Sequence, residues 1–143
     1  IRISPNLKLV SIDKRIGSKN IIKENARRLG VNPSLIIEDE VLNVFEKNKI
    51  TDNLLHPDRV IIGGGGSSSH LIIEKVLEKI NSRCILIIPL ISLKSLSKLQ
   101  SFLEPKVEKL SISQHQSYRG VNIGEDIRLS PLNPVFILKV KFQ

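Results

Sequence analysis

The sequence predicts an α/β protein whose central sheet is doubly wound in the Rossmann-like manner. Short apolar runs rich in Ile, Leu and Val alternate along the chain with segments of helical spacing: LKLVSI, SLIIE, RVIIG and CILIIPLI. The runs are uniformly hydrophobic, which is typical of parallel strands covered by helices on both faces. The last apolar runs, VEKLSISQ and NPVFILKVKF, have no helical pattern between them, so we expect an antiparallel strand at the C-terminal end of the sheet.

The first half of the chain contains a strand, a helix, a second strand and a second helix. Residues 7–12 are the first predicted strand, and Ser18–Leu29 is the first helix because Ile21, Ile22, Ala26 and Leu29 recur at helical spacing. Gly30 ends this helix in the manner of a C-terminal glycine. Residues 34–38 then form a strand and residues 41–48 a helix.

The second half continues the alternation before changing to antiparallel strands. His56, Pro57 and Asp58 make a turn into RVIIG, and four glycines follow this run. The remaining predicted elements are a helix over residues 71–80, a strand over 84–91, a helix over 92–103, and strands over 107–114 and 133–142.

Composition places the chain among globular proteins with a sizeable core. The chain has 143 residues, 41% of them hydrophobic, with a mean hydropathy of +0.01. No apolar run is long enough to cross a membrane, and the N-terminus has no secretory signal pattern. The single cysteine, Cys84, lies in an apolar run and cannot form an internal disulfide. We therefore expect a cytoplasmic protein.

The net charge of +8 predicts an anionic partner. Nucleic acid, a membrane surface and a polycarboxylate metabolite all fit the charge alone. The basic residues are scattered without interleaved aromatic residues, which does not favour single-stranded nucleic acid. The three histidines and one cysteine lack the spacing of a metal site, so we expect no metal.

Acidic residues follow the first two predicted strands, where ligands of doubly wound sheets bind. Asp13 follows the first strand, and its carboxylate could accept hydrogen bonds from the ribose hydroxyls of a nucleoside or cap the following helix. Glu38, Asp39 and Glu40 follow the second strand and suit either an adenine amino group or a cap. Acidic residues at both strand ends favour a nucleoside.

The glycine loop, Gly63 to Gly66, follows the third strand. It lacks the Gly-Lys-Ser/Thr ending of a P-loop and the G-x-G-x-x-G spacing of a dinucleotide fold, so nucleoside triphosphate hydrolysis is not expected. Glycines allow a ligand to approach the backbone closely, and a serine at 67, 68 or 69 can cap the next helix; a flexible turn is the alternative. We interpret His70 as a helix-start residue and assign no catalytic residue.

A set of motifs in a fixed order resembles one enzyme family. DKRIGS followed by NARRLGV, then PDRVIIGGGG, and finally LNPVFIL resemble the decarboxylating methyltransferase half of precorrin-6Y C5,15-methyltransferase, from cobalamin biosynthesis. The resemblance extends over nearly the whole chain. It implies the class I S-adenosylmethionine-dependent methyltransferase fold, S-adenosylmethionine as cofactor, and methylation at C15 of a precorrin with loss of carbon dioxide from an acetate side chain.

The resemblance also implies site residues. Those expected to hold the methyl donor are Asp13 at the ribose, Glu40 near the adenine, and Gly63 and Gly64 beside the methionine end. Those expected to face the anionic tetrapyrrole substrate are Gly65, Gly66, Arg119 and Arg128, the two arginines as clamps for carboxylates. We also expect a homo-oligomer, no membrane and no nucleic acid.

The chain departs from the family in two places. Pro89 stands where the family usually has an asparagine, and the family's first strand with its glycine-rich loop has no counterpart. We therefore expect residues 1–143 to be a single methyltransferase domain truncated on its N-terminal side, lacking the first strand, and binding the donor poorly alone.

Two alternatives remain open. An RNA methyltransferase of the same fold is favoured by the charge, although Gly63 to Gly66 occupy the place where base-amino methyltransferases commonly carry Asn-Pro-Pro-aromatic. A non-catalytic fragment or subunit is the other.

Overall fold

The structure, a computed structural model, describes residues 6–63, 66–80 and 83–142. The chain divides into two compact units. The first unit comprises Ile1–His56 and Glu74–Lys79, and the second comprises Pro57–Ile73 and Ile80–Gln143.

The first unit contains a pair of parallel strands with helices after each. Its elements are β1 (Val10–Asp13), α1 (Ser18–Leu29), β2 (Leu35–Glu38), α2 (Val41–Glu46) and the short helix α3 (Asp52–Leu55). β1 and β2 pair in parallel, with Val10 opposite Leu35 and Asp13 opposite Glu38. The predicted parallel arrangement of these strands is confirmed, and it brings two acidic residues side by side at the carboxyl edge of the pair.

Helix α1 has the bounds that the sequence predicts, because a glycine in left-handed conformation lies at each end. Gly17 precedes it at φ 82°, and Gly30 follows it at φ 63°, a region that other residues rarely adopt. The backbone N–H of Gly30 bonds to the carbonyls of Ala26 and Arg27, which closes the last turn. The helix is therefore stopped before the chain turns into β2.

The second unit is built on a mixed four-stranded sheet. Its elements in chain order are β3 (Arg59–Ile61), α4 (Ser69–Leu77, of which Glu74 onward belongs to the first unit), β4 (Ile85–Leu90), α5 (Leu93–Leu103), β5 (Lys109–His115), β6 (Tyr118–Ile123), β7 (Asp126–Pro131) and β8 (Val135–Lys141). The strand order is β3-β4-β8-β5, with β3 parallel to β4 and β8 antiparallel to both of its neighbours. The predicted antiparallel strand at the C-terminal end is confirmed.

Helix α5 packs on β4 and β8 and forms the core of this unit. The core side chains on the helix are Leu96, Leu99 and Leu103, and those on the strands are Leu86, Ile88, Leu138 and Val140. Leu86 lies opposite Val140 and Ile88 opposite Leu138 in the register, so four strand side chains form one continuous apolar layer. Ser92 begins the helix, and its hydroxyl oxygen accepts a hydrogen bond from the N–H of Ser95 at 3.3 Å.

Cys84 lies in this core, as its apolar sequence context predicts. It is fully buried and free, and burial raises the pKa of its thiol. Because desolvation disfavours the thiolate, Cys84 behaves as a small hydrophobic residue.

The structure differs from the sequence prediction in four respects. The first strand starts at Val10 rather than residue 7, and neither α3 nor the antiparallel pair β6–β7 was predicted. We predicted that helices cover both faces of the parallel strands. This prediction is wrong at β3, where Ile61 is 72% exposed. Among the described strands of its sheet β3 has a neighbour on one side only, so less of its surface is covered than that of β4. No helix in the described ranges is long and apolar enough to span a membrane.

Candidate functional site

Asp13, the predicted ribose acceptor, ends β1 and is held by its near neighbour Arg15. The N–H of Arg15 donates to Asp13 Oδ1 at 2.9 Å, and its Nε donates to Oδ1 and Oδ2 at 3.0 and 3.1 Å. Arg15 Nη2 donates to Oδ2 at 2.5 Å. These hydrogen bonds from the guanidinium lower the pKa of Asp13 to about 2. The carboxylate is therefore ionised and oriented at the strand end.

Glu38, opposite Asp13 on β2, caps the first turn of α1. Its Oε2 accepts hydrogen bonds from the N–H of Lys19 at 3.0 Å and from the hydroxyl of buried Ser18 at 3.4 Å. The backbone N–H groups of Lys19 and Gly17 lower the pKa of this carboxyl. A carboxylate at a helix N-terminus satisfies free N–H donors and the helix dipole. The sequence leaves two alternatives open for the acidic cluster, a contact with adenine or a helix cap. Glu38 is a helix cap.

Asp39 stabilises the segment that contains α2. Its Oδ2 lies 2.6 Å from Lys49 Nζ, and its Oδ1 accepts from the side chain of Asn43 and from the N–H of Glu40. The hydrogen bond from Lys49, with those from Asn43 and Glu40, lowers the pKa of Asp39 to about 2. Asp39, which precedes α2, is thus bonded to residues before, within and after this helix.

Glu40, the residue predicted near the adenine, directly precedes α2 and makes no side-chain cap to it. Its Oε2 lies 3.2 Å from Lys14 Nζ, and the Glu40 side chain is 35% exposed. The turn after β1 therefore contacts two acidic residues, Asp13 through Arg15 and Glu40 through Lys14. In this unit the structure brings both predicted nucleoside acceptors to the same turn.

A shallow cavity of about 160 Å³ adjoins Asp13. It is lined by three polar and three aliphatic side chains: Asp13, Arg15, Ser18, Ile16, Ile21 and Ile22. Ile16 is 97% exposed and Ile21 63% exposed, so neither contributes fully to a core. A carboxylate beside an aliphatic surface matches the chemistry of a nucleoside, which presents a vicinal diol next to an apolar base. These side chains therefore fit the nucleoside end of S-adenosylmethionine.

The glycine loop lies in the second unit, and only its outer residues are described. The predicted site residues Gly64 and Gly65 lie outside the described residues. Gly66 has a φ of +52°, and its carbonyl accepts a hydrogen bond from the Ser69 hydroxyl at 2.8 Å. A Cβ built at Gly63 meets no described atom within 4 Å. The positive φ at position 66 thus favours glycine. At position 63 the described surroundings have room for a side chain.

The predicted clamp residues Arg119 and Arg128 lie on the hairpin of β6 and β7. The register puts Arg119 opposite Ser130 and Val121 opposite Arg128, so the two arginines share one face of the hairpin. Both are exposed, and neither makes an ion pair with any other residue that the structure describes. Two free guanidinium groups on one face can bind two carboxylates of one ligand.

The opposite face of the hairpin is apolar and exposed. It carries Tyr118 at 59%, Ile127 at 66% and Leu129 at 71% exposure. Gly120 lies on this face, and a Cβ there would meet the Ile127 side chain at 3.2 Å. The other face, here called the cationic face, carries the two arginines together with Val121, Ile123 and Asp126.

Sequence reasoning missed Lys14 and Arg15, and although it offered capping for Glu38, it did not show that the capped helix is α1. The signal for Arg15 was present, because a basic residue two positions after an acidic one can reach back to it across a turn. The contacts of Lys14 with Glu40 and of Glu38 with Lys19 depend on how the strands pair, which no short motif reveals.

Within the described residues, no group of three or more His, Cys, Asp or Glu side chains could hold a metal ion.

The alternation of strands and helices, with parallel strands and an antiparallel strand β8, defines the class I S-adenosylmethionine-dependent methyltransferase fold, which solved structures similar to the chain share. More particularly, the chain belongs to the precorrin methyltransferase domain family, whose sequence model matches residues 1–141. The chain is 33% identical over 132 residues to a protein of Pyrobaculum aerophilum named a probable cobalt-precorrin-6B C(15)-methyltransferase (decarboxylating). The match covers 92% of this chain and 64% of that relative's length.

Two solved structures of the same fold are similar to the chain. The precorrin 8W decarboxylase of Methanobacterium thermoautotrophicum has a TM-score of 0.77 at 19% identity, over 93% of this chain and 69% of that one. The precorrin-6Y C5,15-methyltransferase of Geobacter metallireducens has a TM-score of 0.77 at 20% identity, over 96% and 69%.

Proposed function

We propose that this chain catalyses S-adenosylmethionine-dependent methylation of a precorrin at C15, with loss of carbon dioxide from an acetate side chain, in cobalamin biosynthesis. The observation that carries the proposal is the family match over residues 1–141, together with the identity to a relative named for this reaction. The RNA methyltransferase alternative is favoured by the net charge of +8, whereas the family model that matches the chain is that of the precorrin methyltransferase domain.

In this proposal the carboxyl edge of β1 and β2 holds the nucleoside. Asp13 accepts hydrogen bonds from the ribose hydroxyls, because an ionised carboxylate offers acceptor sites to a vicinal diol. Ile16 and Ile21 cover the apolar base, and Glu40 lies near the adenine amino group. When bound, S-adenosylmethionine supplies the methyl group on an already activated sulfonium.

The glycine loop is proposed to face both ligands. Gly63 and Gly64 contact the methionine end of the donor, and Gly65 and Gly66 contact the tetrapyrrole. The open space around the Cβ position of Gly63 supports this role, because the fold itself does not require a glycine there for steric reasons.

Substrate carboxylates are proposed to bind Arg119 and Arg128 on the cationic face of the hairpin. A precorrin carries several carboxylates, and the net charge of +8 attracts such an anion over longer distances. Methyl transfer of this kind depends mainly on holding donor and acceptor in line. A general base is therefore not needed to account for the transfer, and we assign none.

We also propose a cytoplasmic homo-oligomer in which the apolar face of the hairpin lies between copies. Tyr118, Ile127 and Leu129 are all exposed on one face of the hairpin, and contiguous exposed apolar patches are typical of interaction surfaces. Light scattering of a Leu129→Lys variant tests the oligomer, which should fall to a smaller species.

The nucleoside role of Asp13 is tested by calorimetry with S-adenosylhomocysteine, using the protein at its native length. We expect Asp13→Ala to weaken binding by about tenfold to a hundredfold, because charge-assisted hydrogen bonds to the ribose are lost. Glu78→Ala is the control, since Glu78 is an exposed acid that pairs with Lys75. Equal affinity for wild type and Asp13→Ala would remove Asp13 from the site.

A further inference from the structure

The two acidic residues proposed to hold the nucleoside are each bound by one of two consecutive basic residues. Arg15 binds Asp13 through Nε and Nη2, and Lys14 Nζ lies 3.2 Å from Glu40. We propose that Lys14 and Arg15, here named the basic clasp, compete with the nucleoside for these carboxylates and thereby set its affinity. The inference rests on the proposed function, because it needs Asp13 and Glu40 to be ligands of the nucleoside.

Arg15 occupies most of the hydrogen-bond acceptor positions of the Asp13 carboxylate. A carboxylate has about four acceptor positions. Arg15 supplies three hydrogens to them: its backbone N–H donates to Oδ1, Nη2 donates to Oδ2, and the single hydrogen on Nε is shared between the two oxygens. About one position is left, whereas a diol needs two. A vicinal diol therefore cannot donate to both oxygens while the Arg15 side chain stays in place.

The two basic side chains are much more exposed than the two acidic ones. Arg15 and Lys14 are 82% and 70% exposed, whereas Asp13 and Glu40 are 25% and 35% exposed. The cations thus lie on the solvent side of the carboxylates. Long exposed side chains can leave such ion pairs without any change in packed structure.

One hydrogen bond to Asp13 remains when the Arg15 guanidinium moves away. The N–H of Arg15 still donates to Asp13 Oδ1 at 2.9 Å, because this bond belongs to the backbone of the turn. The carboxylate keeps its orientation and one oxygen becomes fully available. Exchange of the guanidinium for a diol is therefore a side-chain event within one turn.

The test is calorimetric titration of the native-length protein with S-adenosylhomocysteine, whose net charge is zero. We expect Arg15→Gln and Lys14→Gln each to lower Kd by about two- to fivefold, the range set by exposed ion pairs. Arg28→Gln is the matched control, because Arg28 is 70% exposed and pairs with Glu24 on α1 away from Asp13 and Glu40. It should leave Kd unchanged.

The dependence of Kd on salt concentration provides a second readout. A merely structural role of Lys14 and Arg15 would not change it. Raising sodium chloride to roughly 0.5 M screens exposed ion pairs, so wild-type Kd should fall toward the value of Arg15→Gln. The double variant Lys14→Gln/Arg15→Gln should show no such change. A Kd that rises or stays constant in Arg15→Gln overturns the clasp.

The outcomes separate this inference from the proposed function. If Asp13→Ala weakens binding and Arg15→Gln does not strengthen it, the clasp fails and the proposed function stands. If Asp13→Ala has no effect, or if the wild type binds no S-adenosylhomocysteine, the nucleoside site fails and the clasp fails with it.

Discussion

Arg119 lies diagonally across the β6–β7 hairpin from Arg128, and both side chains project from the same exposed face. We predict that Arg119→Gln and Arg128→Gln raise KM for the precorrin by about three- to thirtyfold while kcat changes little, because exposed guanidinium groups mainly contribute binding. Steady-state kinetics at varied precorrin concentration measure both constants.

Lys98→Gln is the matched control for these variants, since Lys98 is an exposed cation on α5 and its loss removes the same charge. If all three variants change KM equally, the effect belongs to net charge and the clamp is wrong.

The glycine loop makes a paired prediction. Gly63→Val should keep the melting temperature of the wild type and lose most turnover, because a Cβ there meets nothing described within 4 Å while the ligand needs the space. Gly66→Val should instead lower the melting temperature, since a φ of +52° strains a β-branched residue. Differential scanning calorimetry and a turnover assay on both variants separate the two roles. Full turnover in Gly63→Val would contradict a ligand-facing loop.

The core of the second unit predicts a large difference between two Leu→Ala variants. Leu138 is fully buried opposite Ile88, so Leu138→Ala should lower the free energy of unfolding by about 2–5 kcal/mol through lost burial and a cavity. Leu93 is 68% exposed and lies outside the proposed oligomer face, and Leu93→Ala should change that free energy by no more than about 0.5 kcal/mol. Urea unfolding measures both. Similar losses would show that the burial of β8 is misassigned.

Acid stability should depend on Asp39. Lys49, Asn43 and the N–H of Glu40 lower the pKa of Asp39 from 3.8 to about 2, so the unfolded chain binds more protons between these values. The stabilisation is present above about pH 4 and is lost as the pH falls through about 2. Asp39→Asn should therefore be less stable than wild type at neutral pH and show a flatter loss between pH 4 and 2. Urea unfolding at a series of pH values tests this, and identical curves would contradict it.

The long periodic elements could be predicted from the sequence because local patterns determine them. Helix α1 has apolar residues at helical spacing and is followed by Gly30. Both of its bounds were therefore predicted from the sequence. The hairpin was not predictable in the same way. Its apolar residues face solvent rather than a core, so burial does not impose the alternation that marks a strand.

The candidate site could be predicted only in part. A carboxylate after an apolar strand, such as Asp13, is visible in the sequence because chain order fixes its place at the strand end. The partners of Glu38 and Glu40 come from a different strand–helix segment, and the register that aligns Asp13 with Glu38 brings those segments together. Interactions that depend on tertiary pairing leave no short-range signal.

The central claim is tested most directly by product analysis. The native-length protein is incubated with S-adenosylmethionine carrying a labelled methyl group and with a precorrin or cobalt-precorrin substrate, and the macrocycle is examined by mass spectrometry. We expect one labelled methyl group gained and one carbon dioxide lost in the same product, with turnover greatly reduced in Asp13→Ala. Label found in added RNA and not in the macrocycle, or methylation of the macrocycle without loss of carbon dioxide, would contradict the proposed function.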